Sequence, residues 1–460
     1  MRRASCNEGP IGQDGSMDGG VTIPARQHFP PDERLPGFGL ALVAVLFVAI
    51  SPLALVALGL NYVESGGSPL EKIHPATVLA FAVLGLSALY VRNPLTGLLN
   101  ALAAYPGTFV FLVMIALLIL HSIRVVGLPF TFFFDTFLAP VVVFFLFKDM
   151  RQERARRFML LFHTLMMANS IVGIVEFAIG QRITPLVASG LVIEDDWRST
   201  ALLGHPLANA SLTGAYLLTL ALGAARDLPR PLAIGGFVIA SAGMVVFGGR
   251  ASSVLLLVIL LGLAAVRSVA IARGARLDTR TIIVALLAIP LLSIAIVALA
   301  EAGFFDLFLE RFLDDRGSAS TRIEMFELFK HVPTSELLLA PDARQIATLR
   351  TLYGLDFGIE SFWVSFVLSY GLIPGVALFA GLFLFCRDIV RVTRPATAWI
   401  LVFFFAVAST SVSLSAKTPL FAILVMMVLV LMRRRHDENT WRDLAANAPV
   451  LRLGRRNRTT

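Results

Sequence analysis

Long apolar runs alternate with short polar breaks along most of the chain. Stretches long enough for membrane helices, which need about 20 apolar residues each, fall at 37–60, 75–92, 107–123, 128–147, 158–179, 205–224, 231–248, 252–267, 281–300, 360–385, 396–412 and 418–432. The pattern predicts an all-α, polytopic membrane protein with about twelve transmembrane helices and one large loop. No linker or fixed-period repeat divides these runs, so residues 36–433 read as one membrane domain. Polar residues 1–35 read as a disordered tail, without the apolar core and small-residue site of a cleaved signal peptide. Residues 434–460 read as a basic tail.

Composition agrees with the pattern. Charged residues make up 15% of the 460-residue chain, against roughly a quarter in soluble domains, and mean hydropathy is +0.79. The formal net charge of +8 sits in short loops, which points to the positive-inside rule and away from nucleic acid. The basic segments at 148–157, 226–230, 267–280, 387–394 and 433–436 all fall on one side of a twelve-span count. Both termini are then expected in the cytoplasm, and loop 301–359 on the outer face. Cys6 and Cys386 offer neither a disulfide framework nor a thiolate metal site. No His-Glu metal spacing and no Gly-Lys-Ser phosphate loop is present, so no cofactor or metal is expected.

Arginines on the predicted outer face oppose the orientation rule, which suggests a binding requirement. Arg198 precedes Gly204-His205-Pro206, which opens a span, and Asn209 follows one turn in. These residues either face a polar pocket or make a capped helix start, with Arg198 reaching the interface. Gly248-Gly249 presents Arg250 between two spans. Its guanidinium either binds a phosphate through its two-pronged donor geometry or rests on lipid head groups. In the long loop, Ile323, Phe326 and Phe329 give an amphipathic helix an apolar side. Arg316 and Arg322 there either meet a lipid-linked anion or pair with nearby carboxylates. Glu360-Ser361 opens a long span that Gly371 and Pro374 interrupt. Glu360 is a candidate general base, or else a first-turn residue favoured by the helix dipole.

These stretches, in this order, resemble the bacterial O-antigen ligase and O-antigen/exopolysaccharide polymerase superfamily. The segments that carry the resemblance are RSTALLGHPLANA, GGRASS, STRIEMFELF and IESFWVSFVLSYGLIPG, and it covers roughly residues 195–432. It implies a GT-C-like inner-membrane glycosyltransferase, metal-independent, with its large loop in the periplasm. The donor would be an undecaprenyl-pyrophosphate-linked oligosaccharide and the acceptor a glycan or lipid. Other polysaccharide assembly proteins are expected partners. Arg198, Arg250 and Arg322 are expected on the pyrophosphate with Arg316 as a fourth contact, and Glu360 or His205 near the acceptor. Ligases resembling this family carry His-Asn or His-Ser at the start of the post-loop span. This chain has Glu360-Ser361, which favours a polymerase over a ligase that caps lipid A core or a protein. A secondary transporter or a lipid-linked sugar flippase is the rival from another class.

Overall fold

A computed structural model describes residues 36–62, 68, 70–91, 93–126, 130–188, 191–193, 197–274, 293–294, 296–313, 318–355 and 358–434. Nearly all regular structure in it is helical; a two-residue hairpin pairs Val187–Ala188 with Leu191–Val192. Each predicted span except 281–300, most of which lies outside the described residues, holds a helix.

Their lengths differ from the twelve-span expectation. Among the described residues, five helices are long and apolar enough to cross a membrane: Pro106–Val126, Gln152–Ile179, Arg230–Phe247, Arg250–Ala272 and Leu372–Val392. A sixth is added if Pro75–Leu89 and the bent-off Pro94–Ala104 form one span. Gly37–Ala49, Thr131–Phe147, Thr397–Ala408 and Leu420–Leu431 are shorter apolar helices. At 1.5 Å per residue, a twelve-residue helix covers about 18 Å of a hydrocarbon core near 30 Å.

Local sequence explains many of the boundaries. Prolines occupy the first turn of the helices opening at Pro52, Pro75, Pro94, Pro106 and Pro206, where a missing N–H costs nothing and the ring presets φ. Gly180 and Gly248 end their helices in the left-handed conformation. Gly371, at φ +97°, divides the predicted 360–385 span into Phe362–Tyr370 and Leu372–Val392. The shorter piece folds back on the longer one, with Phe362 and Trp363 at 5.4 and 4.5 Å from the Phe379 ring. Glu360 therefore does not head one continuous span; it precedes a nine-residue helix doubled against its neighbour.

Leu420–Leu431 is buried at every residue and lies at the centre of the bundle, beside the fully buried Ala139–Phe147. Pro106–His121 runs antiparallel to Leu372–Val392: Gly107 abuts the Leu384 carbonyl, Gly381 meets Phe111 and Met114, and His121 Nε2 lies 3.1 Å from the Tyr370 carbonyl. Gln152–Ile179 packs on Arg230–Phe247, with Gly173 against Phe247 and Gly243 against Ser170. Such small-residue contacts bring apolar helices close enough for dispersion to hold them. The described part of the long loop has its own small core of Met325, Leu328, Val332, Ile346, Leu355, Ile359, Val364 and Leu368, which seats it on Phe362–Tyr370.

Candidate functional site

Glu176 organises one end of the bundle. Its side chain, 1% exposed, is close to the end of the Gln152–Ile179 helix and accepts hydrogen bonds from the loop that follows. Ile183 N donates to one oxygen at 2.7 Å, and Thr200 N and Ala201 N donate to the other at 2.8 Å each. The Ser199 and Thr200 hydroxyls complete the set. A buried carboxylate survives only when its lone pairs are filled in this way. Asn169 and Asn209 extend the hold: Asn169 Oδ1 accepts Leu202 N at 3.1 Å, and Asn209 Nδ2 donates to Thr200 O at 2.6 Å.

The same loop is shaped from outside by Arg182. Its Nε donates to the Arg198 carbonyl at 2.9 Å and its guanidinium to the Ile193 carbonyl at 2.7 Å, while the group lies 5.4 Å from the Trp197 ring. Arg182 thus serves the loop, and Arg198 is the arginine the loop presents, its side chain half-buried. Between Arg198 and His205, Ala201 has φ +41°, the only positive φ of a non-glycine among the described residues. That conformation costs an L-residue roughly 1–2 kcal/mol, and the hydrogen bond of its N–H to Glu176 holds it. Ala201→Gly is therefore expected to raise thermal stability by up to about 1 kcal/mol, leaving the loop in place. Unfolding of the purified protein in detergent measures this.

The backbone that carries Arg250 lies at the same corner. Ser199 N donates to the Val246 carbonyl at 3.3 Å, and Gly249 presses on Ala210 with no room for a Cβ. Ala201, Ala210, Val246 and Phe247 form a common small core beneath. The backbones carrying Arg198, His205 and Arg250 are thus brought together. His205 caps its helix: Nδ1 accepts Leu207 N at 3.2 Å, which assigns the ring proton to Nε2. This is the capped helix start, one of the two readings the sequence offers for this segment. Arg316 lies outside the described residues, and Arg322 falls within the Ser318–Glu327 helix. That helix joins the Ile359–Val364 segment through Met325. Glu360 is half-buried beside Gly358, which abuts Val412, and Ile359, whose carbonyl accepts the Ser415 hydroxyl at 3.5 Å.

The sequence matches no family model, and no curated protein matches it. The assignment of a site therefore rests on the residues themselves.

A second polar cluster lies where the short helices end. Asp135 is fully buried and accepts Tyr62 OH at 2.8 Å and His74 N at 3.1 Å. Lys417 Nζ lies 3.9 Å from Asp135, donates to the carbonyls of Tyr62 and Lys72, and sits 3.8 Å from the Tyr62 ring centroid. Burial pulls the Lys417 ammonium down to about 8, Asp135 opposing and Lys72 adding to the fall. Lys417 carries a signal in the sequence, as the one cation between the apolar runs 396–412 and 418–432. Its partnership with Tyr62, His74 and Asp135 carries none, since they are distant in the chain. A separate groove of about 710 Å³, lined by Ala265, Val266, Val269, Ala270, Arg273 and Gly274, is aliphatic-walled and includes neither polar cluster.

Proposed function

We propose that this chain is an inner-membrane glycosyltransferase of the O-antigen polymerase/ligase type, extending a surface polysaccharide at the periplasmic face. The observation that carries the reading is the meeting of the Arg198 and Arg250 backbones at one corner, through the Ser199–Val246 hydrogen bond and the Gly249–Ala210 contact. Two guanidiniums at the end of an apolar bundle suit a diphosphate whose polyprenyl chain stays in lipid. In the reaction, the sugar C1–O bond to the carrier pyrophosphate breaks and a new bond forms from C1 to the acceptor hydroxyl oxygen. The acceptor proton passes to a base, for which Glu360 is the candidate. The departing diphosphate gains negative charge, which fixed guanidiniums and the His205 Nε2–H stabilise more in the transition state than in the ground state.

The transporter or flippase reading draws support from Asp135, a buried carboxylate within the apolar Thr131–Phe147 helix, because intramembrane ionisable groups often mark transport paths. Substitution in cells separates the readings. Arg198→Ala and Arg250→Ala are each expected to reduce polymer at least tenfold at unchanged protein level, since one charge-assisted hydrogen bond contributes about 1.5–3 kcal/mol. Lipid-linked repeats would then accumulate in the periplasmic leaflet. Single repeats on lipid A core would mark a polymerase, and unattached long chains a ligase. Accumulation in the cytoplasmic leaflet would favour the flippase. Normal chain length and attachment in both variants would end the proposal.

A further inference from the structure

Three segments meet at Lys417: the connection that holds Tyr62, Lys72 and His74, the first turns of the Thr131–Phe147 helix, and the connection from Ser409 to Pro419. They are far apart in the chain. The ammonium ties the first to the third through the Tyr62 and Lys72 carbonyls. Asp135 ties the first to the second by accepting both Tyr62 OH and His74 N. The second joins the third again where Thr418 N donates to Thr136 Oγ1 at 3.3 Å. The charged or titratable groups facing Lys417 are Asp135, Tyr62, His74 and Lys72.

This clamp connects onward to the arginine corner. Burial lowers the basicity of His74; its Nδ1 accepts Ala76 N, so its Nε2–H donates to the Ile50 carbonyl at 2.7 Å. The next residue, Ser51, lies directly against Gly204, where a Cβ would collide with its hydroxyl. Gly204 precedes His205 and lies six residues beyond Arg198. The path therefore runs from Lys417 through Tyr62 and Asp135 to His74, and on through Ile50–Ser51 to Gly204–His205, each step a hydrogen bond, a chain neighbour or a steric contact.

We infer that Lys417 is a positioning residue: it fixes the seat on which the Gly204–His205 turn, and with it the Arg198 loop, rests. It does not touch the substrate. The inference concerns the geometry of this chain, and only its ligand-binding arm rests on the glycosyltransferase reading.

Hydrogen–deuterium exchange of the full-length protein in nanodiscs tests it. Lys417→Met is expected to speed exchange at least tenfold at the Lys72–His74 amides and at Leu202–His205, with the Leu372–Val392 helix unchanged. Lys417→Arg, which keeps the charge and the donors, is expected to restore protection at both. Asp135→Asn removes the clamp's anion with little change in volume and is expected to act like Lys417→Met should that variant not fold. Change confined to 72–74 would overturn the inference, as would a uniform loss of protection across the protein. For the binding arm, undecaprenyl pyrophosphate is titrated while tryptophan fluorescence is followed, with Trp197→Phe identifying the share of the signal that comes from the Arg198 loop. Lys417→Met is expected to weaken the response at least fivefold, with rescue by Lys417→Arg. A wild-type protein that does not bind this lipid would refute the proposed reaction, and the exchange data would still decide the clamp.

Discussion

Glu176→Ala is expected to lower stability by about 3 kcal/mol or more and to abolish polymer formation, although Glu176 lies behind the arginines. Five donors converge on this one carboxylate. Each buried donor left unpaired costs roughly 1–3 kcal/mol, less where water enters to replace the lost partner. Among the described residues, the loop's other ties to the helix include Gly180 N and Gln181 N to the Glu176 carbonyl and Leu202 N to Asn169 Oδ1. Without the carboxylate, Ala201 would relax from its strained φ and the Arg198 segment would leave the Val246 edge. Glu176→Gln is expected to fall between, because its amide group turns two hydrogens toward groups that are themselves donors. Thermal unfolding in detergent and polysaccharide chain length in cells read the two effects. A Glu176→Ala protein within about 0.5 kcal/mol of wild type would mean that the loop is held by something else.

Gly204→Ala is expected to have the next largest effect. Gly204 has φ +73° and no space for a side chain, because Ser51 occupies it. The left-handed backbone alone costs an alanine roughly 1–2 kcal/mol, and the collision adds to that. The total is expected at about 2–4 kcal/mol, with the His205 turn displaced. Ser51→Gly in the same chain removes the collision and leaves the backbone term. The double variant is thus expected to recover part of the loss, although Ser51 also caps the Pro52–Ala57 helix by accepting Ala54 N at 3.0 Å. A double-mutant cycle on unfolding free energy isolates the contact. A coupling energy near zero would mean that the two residues do not touch in the folded protein.

Several features of the site were legible in the chain. Gly204-His205-Pro206 announces a helix start, and it is one, with His205 as its cap. The Gly248-Gly249 turn before Arg250 is read correctly for a similar reason: two adjacent glycines in an apolar run leave few alternatives. The span over 360–385 is two helices, broken at Gly371. Gly371 and Pro374 were visible as interruptions, but nothing local distinguishes a bend from a reversal; the Phe379 ring packing on Phe362 and Trp363 decides it. Glu176 is a polar residue near the end of the 158–179 run, but its five donors come from 183 and 199–201, a set that no periodicity reveals.

What the sequence by itself determined is the helical class, the helix starts at proline and ends at glycine, and the arginines gathered in particular loops. These follow from hydropathy, from the missing proline N–H and from the backbone freedom of glycine, all properties of short stretches of chain. What only the tertiary structure decided is which loops meet. The union of Arg198 with Arg250, the seat of Gly204 on Ser51 and the grip of Lys417 on Tyr62 and Asp135 join residues tens to hundreds of positions apart. Hydrogen bonds and steric fit act over a few ångströms of space whatever the distance along the chain, so they become visible only once the helices are packed.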